Sequence, residues 1–134
     1  MYRNISVVIL SCLLILALTG ATVAQQSQAA QRINFAPGAI SATESGSLTM
    51  GGMDRYVLGA EEGQNMTVSV ASADNNALLV IYGPNGTVLI SDHADASSWS
   101  GVLPSTQDYF IKVEIDGEGF AMYQMTVTVE PLVY

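Results

Sequence analysis

Residues 78–115 read LLVIYGPNGTVLISDHADASSWSGVLPSTQDYFIKVEI. Residues 77–82 are apolar without alternation, as in a strand buried on both faces. Pro84-Asn85-Gly86 follows: proline presets φ and Asn-Gly accepts positive φ, so a tight turn is expected. A second strand fits residues 87–91, and a polar loop comes after it. Trp99, Gly101 and Leu103 then share one parity until Pro104 stops the strand. Tyr109, Ile111, Val113 and Ile115 alternate with Phe110, Lys112 and Glu114. This is hairpin grammar with no room for a helix.

The same grammar extends in both directions. Ile33 and Phe35 alternate before Pro37-Gly38, and residues 41–50 form a polar strand ending at Gly51-Gly52. Residues 54–60 follow, and Glu62-Gly63-Gln64 turns the chain back. Met66, Val68 and Val70 face one way, with Thr67 and Ser69 the other. Past Asp116-Gly117-Glu118-Gly119, the residues Tyr123, Met125, Val127 and Val129 alternate with polar neighbours. Eight or nine short strands at this spacing predict an all-β fold: one antiparallel sandwich of jelly-roll-like type, spanning residues 32–131. Trp99 and Tyr109 are the expected largest core members.

The N-terminus reads as an export signal. Arg3 precedes an apolar run over residues 7–18, and Thr22-Val23-Ala24 offers the small residues of a cleavage site. Residues 1–24 are therefore expected to be a signal peptide, residues 25–31 a polar disordered leader and residues 132–134 a tail. Retention of the apolar run as an anchor is the alternative; no later segment is long enough to span a bilayer. Cys12, the single cysteine, lies inside that run, which continues to Leu18 where a lipoprotein box would end it. The mature chain is then free of cysteine, so packing rather than disulfides must stabilise it. The implied location is secreted or periplasmic.

Without Arg3 the bases are Arg32, Arg55 and Lys112 against twelve acids, a net charge of −9. Such a surface repels nucleic acid and anionic lipid and steers towards basic partners. Enzyme chemistry finds little support. His93 is the single histidine; Asp92 and Asp95 flank it, but nothing resembles a nucleophile elbow. No cofactor is expected. Acids in turns leave a structural calcium open as an alternative, since hard oxygen ligands suit that ion, yet neither 92–95 nor 116–119 follows an EF-hand pattern. Trp99 has a second reading as a sugar platform with Tyr82 or Tyr109 beside it, although its parity with Gly101 and Leu103 favours the core.

Several motifs resemble one bacterial family. Asp54-Arg55-Tyr56-Val57-Leu58, Gly63-Gln64-Asn65-Met66-Thr67-Val68, Ile81-Tyr82-Gly83-Pro84-Asn85-Gly86, Leu103-Pro104 and Asp108-Tyr109 occur in that order. The series is similar to the pre-peptidase C-terminal domain, a β-sandwich appended to secreted proteases and other exported enzymes. It also resembles the periplasmic inhibitors of g-type lysozyme. The resemblance covers roughly residues 32–130 and departs from the domain family at Gln107, where glycine is frequent. It implies a non-catalytic exported binding or accessory protein, engaging protein or cell-wall glycan through its loops. The alternatives are an inhibitor that blocks the substrate cleft of a cationic g-type lysozyme, and a structural envelope or adhesion module. The candidate contact loops are residues 71–76, 91–98 and 116–119, with Asp74, Asn75, Asp92, His93, Asp95, Asp116 and Glu118 as candidate binding residues. Alanine at Asp92, His93 and Asp95 together is expected to leave the fold intact.

Overall fold

The computed structural model describes residues 29–117 and 119–132; the expected signal peptide, most of the leader and Glu118 lie outside them. Nine strands run through the described residues: β1 (Gln31–Arg32), β2 (Ser41–Thr49), β3 (Met53–Ala60), β4 (Asn65–Ser72), β5 (Ala77–Tyr82), β6 (Val88–Ile90), β7 (Ser98–Val102), β8 (Gln107–Ile115) and β9 (Phe120–Glu130). They form two sheets, in the order β1-β3-β8-β5-β6 and β2-β9-β4-β7. The chain is an all-β sandwich, as its alternation requires. Pairing is antiparallel except between β1 and β3, where Gln31 lies beside Tyr56 in a short parallel pair. A parallel pair needs a long crossover, and β2 in the opposite sheet supplies it. Gln31 already pairs here, one residue ahead of the start that sequence suggests.

The two inner faces hold the core. Met66, Val68 and Val70 of β4 meet Met125, Val127 and Val129 of β9 on one side. Leu58, Leu79, Ile81, Tyr109, Ile111 and Val113 line the other. Each fully buried side chain of this size contributes on the order of 1.5–3 kcal/mol, so twenty clustered residues stabilise the fold without a covalent staple. β5 is buried on both faces because Val80 is covered on the outer side too. Tyr109 is fully buried, as expected. Trp99 is not: it is only partly buried and packs against the core from β7, an edge strand. Its ring lies over Gly101, where an added Cβ would come 3.0 Å from the indole. An edge strand has a neighbour on one side alone, so correct parity does not bring full burial.

One end of the sandwich is a hydrogen-bonded plug. Leu103 N–H donates to Gln64 O (2.8 Å) and Gly63 N–H to Leu103 O (2.9 Å). Glu62 N–H donates to Thr106 Oγ1 (2.9 Å). Asn85 Nδ2 donates to Ser105 Oγ (3.2 Å), and Tyr109 Oη donates to Ser105 O (2.6 Å). Gly86 takes φ +96° in the β5–β6 turn, while the Asn85 side chain accepts from Thr87 N–H at 3.0 Å. The Gln107 side chain lies across Gly83, in the space an added Cβ would take.

Candidate functional site

The opposite end gathers the remaining loops. Thr49 pairs with Phe120 and Met53 with Glu114, which brings the β2–β3 turn, residues 50–52, beside the β8–β9 loop. Ala77 pairs with Ile115 and Ser72 with Tyr123, placing the β4–β5 loop there. Ser69 pairs with Ser98, and Val70 N–H donates to Ser97 O (2.9 Å), so the β6–β7 loop arrives at the same end. The three candidate loops thus share one end of the molecule. Their bounds are tighter than sequence suggests: Ala71 and Ser72 belong to β4, and Ser98 to β7.

Two hydrogen bonds join the β4–β5 and β8–β9 loops. Asp116 N–H donates to Asn76 O (2.8 Å), and Asn76 Nδ2 donates to Phe120 O (3.2 Å). Ser72 Oγ accepts from Asn76 N–H (3.0 Å) and Ala77 N–H (3.2 Å), holding the loop from inside. Asp74 and Asn75 are exposed on it, Asn75 at φ +55°. Asn tolerates this left-handed conformation better than most residues.

Asp92, His93 and Asp95 lie over the β5–β8 side. His93, Asp95, Glu114 and Asp116 line one depression of about 220 Å³. Lys112 Nζ reaches Asp92 Oδ1 at 3.4 Å and Glu114 Oε2 at 3.0 Å. The Glu114 hydrogen bond, above all, holds the lysine higher than its usual 10.5, against the lowering effect of burial. Asp92 is therefore partly neutralised, while Asp74, Asp95 and Asp116 have no basic partner among the described residues. Among the described residues no group of three or more His, Cys, Asp or Glu side chains converges as a metal site. His93 makes no hydrogen bond to a serine or a carboxylate among them.

An apolar element at this end was missing from the sequence reading. Phe120 and Met122 project from the outer face of β9, 52% and 67% exposed, and Met50 stands 64% exposed in the adjoining turn. Around Met122, Ser45, Ser47, Ala71 and Ala73 leave an open trough of about 600 Å³. The signal was there in the alternation: Phe120 and Met122 carry the parity of Gln124 and Thr126, the solvent side. Large exposed apolar side chains gathered at one end form a surface suited to contact with another molecule.

No family model matches the chain, and no curated protein does. Solved structures do. The chain is similar in fold to periplasmic inhibitors of g-type lysozyme. The inhibitor from Aeromonas hydrophila is 25% identical with a TM-score of 0.65, over 75% of this chain and 96% of that one. The one from Salmonella Typhimurium is 22% identical with a TM-score of 0.58, over 74% and 96%. The pre-peptidase C-terminal domain of a collagenase from Bacillus anthracis is 18% identical with a TM-score of 0.60, over 78% and 99%. Both resemblances suggested by the motifs are found. Six of those motif residues (Gly63, Gln64, Asn85, Gly86, Leu103, Tyr109) sit in the hydrogen-bonded plug, away from the candidate loops.

Proposed function

We propose that this chain is an exported, non-catalytic binding protein that inhibits a g-type lysozyme by seating its loop end in the enzyme's substrate cleft. The observation that carries this reading is the likeness to the Aeromonas hydrophila inhibitor, which extends over 96% of that protein. The periplasmic location of the inhibitors supports the same compartment here, in line with the export signal read from residues 1–24. The loop end supports it physically. Asp74, Asp95 and Asp116 would steer a basic enzyme, and Phe120 with Met122 would supply apolar contact once docked. Trp99 packs partly against the core from β7, which favours a packing role over a sugar shelf for that ring. The test is titration of the purified exported chain against a g-type lysozyme hydrolysing cell walls. Stoichiometric loss of activity, absent with an unfolded Val113→Asp control, supports inhibition. Full lysozyme activity at micromolar excess of folded chain overturns it.

A further inference from the structure

Four strand edges bound the two sheets, and they are unequal. β1 has two residues, β6 three and β7 five, whereas β2 has nine. Among the described residues β2 pairs on one side alone, with β9, and all nine positions are in register without a bulge. Natural edge strands are usually blunted by shortness, lysine, proline, a bulge or an inward-pointing charge. β2, SATESGSLT, has none of the first four; its single charge, Glu44, lies on the inner parity and is engaged by Gln31.

From this edge we infer that β2 is a self-association surface, pairing antiparallel with β2 of a second copy to join two four-stranded sheets into one of eight. The strand is complementary to itself. A two-fold axis through Ser45 overlaps all nine residues: Ser41 meets Thr49 of the second copy, Ala42 meets Leu48, Thr43 meets Ser47, and Glu44 meets Gly46. Hydroxyl side chains pair on the outer face, and on the inner one Ala42 meets Leu48 while Glu44 meets the side-chain-free Gly46. The next same-face register, centred on Glu44, sets Glu44 against its own copy and is opposed by like charge. Glu44 opposite Gly46 avoids that clash, and Gln31 Nε2, donating at 3.3 Å, draws the carboxylate towards β1. The axis also turns the two loop ends to opposite poles of the pair. Dimerisation therefore leaves the β4–β5 and β6–β7 loops open, while Ser45 and Ser47 border both the pairing edge and the trough around Met122.

The interface is small, and each copy carries a net charge of −9, so the pair should be weak and favoured by salt. Sedimentation equilibrium of the purified exported chain tests this. A dimer with a dissociation constant of about 10–100 μM, tightening as salt screens the repulsion, is expected. Ser45→Lys places two lysines on the axis and should weaken the pair about fivefold or more, with an unchanged melting temperature showing that the monomer still folds. Ser45→Cys should cross-link across the axis on mild oxidation and Ser41→Cys should not, because only position 45 faces itself. A chain still monomeric at about 1 mM in high salt, well beyond what a real interface of this class requires, overturns the inference. So does a dimer that Ser45→Lys leaves intact, or one that cross-links as readily through Ser41→Cys.

Discussion

Tyr123 shows how one polar group is carried inside an otherwise apolar sandwich. Its ring is buried, and its hydroxyl lies 2.6 Å from that of Tyr56 and donates to Asp54 Oδ2 at 2.5 Å. Burial first, then the bonds to Asp54 and Tyr56, hold its ionisation well above the usual tyrosine value of 10.0. Tyr56 is raised as well, mainly by burial. Gly46 of β2 leaves the room they need, since an added Cβ would stand 2.6 Å from the Tyr123 hydroxyl. Tyr123→Phe takes the donor from Asp54 and a partner from Tyr56, and should cost about 1–3 kcal/mol in chemical denaturation at neutral pH. The pH dependence has a fixed sign. Below pH 10 folded and unfolded chains both keep the tyrosine protons, so this contribution is fully present. Above it the unfolded chain sheds a proton that the folded chain retains, so stability falls as pH rises. The gap between wild type and Tyr123→Phe should therefore narrow above pH 10; a gap that widened there would refute the buried network.

The strands themselves were legible because burial is written in alternation. Val113 is fully buried between sheets, and Val113→Asp should abolish the cooperative thermal transition. An unpaired buried carboxylate takes a large share of the about 5–15 kcal/mol that stabilises a domain. Gly86→Ala is a gentler test of the β5–β6 turn. No atom lies within 4 Å of the added methyl, so the cost is that of positive φ alone. A loss of about 1–2 kcal/mol is expected, read as a lower melting temperature. Turn chemistry marked Pro84-Asn85-Gly86 in advance for the same reason. Sheet order was not legible. Alternation assigns a side chain to a face, but it does not say that β9 lies between β2 and β4, nor that β7 is an edge. Trp99 was misjudged on that account. β1 escaped notice because its two residues pair through a crossover that no local pattern records. The candidate loops were marked by their polarity. Their convergence on one end, and the exposed Phe120 and Met122 beside them, follow from register alone.

At the scale of the molecule, charge and apolar contact are divided between the two sides of the loop end. Among the described residues the three bases lie on one sheet, Arg32 in β1, Arg55 in β3 and Lys112 in β8, so there Asp92 is offset and Asp74 and Asp116 are not. Charges at a rim act on encounter, whereas buried apolar anchors act on retention. Asp74→Asn with Asp116→Asn should slow association with a g-type lysozyme about tenfold at low salt, and the difference should shrink as salt screens it. Phe120→Ser with Met122→Ser should leave association nearly unchanged and speed dissociation about tenfold, a loss typical of an interfacial anchor. Both side chains are already exposed, so thermal stability should hold. The Asp92, His93 and Asp95 loop makes the contrasting control, with one amendment to the alanine replacement. His93 and Asp95 adopt φ +65° and +55°, where alanine is strained, so the triple alanine change should destabilise by about 1–2 kcal/mol per strained site. Asparagine accepts that backbone and removes the charge. Surface plasmon resonance on the three sets separates the sides of the end. If the asparagine set at 92, 93 and 95 raises the dissociation rate while the Phe120 and Met122 pair does not, the enzyme meets the β5–β8 side, and the apolar trough is not the contact.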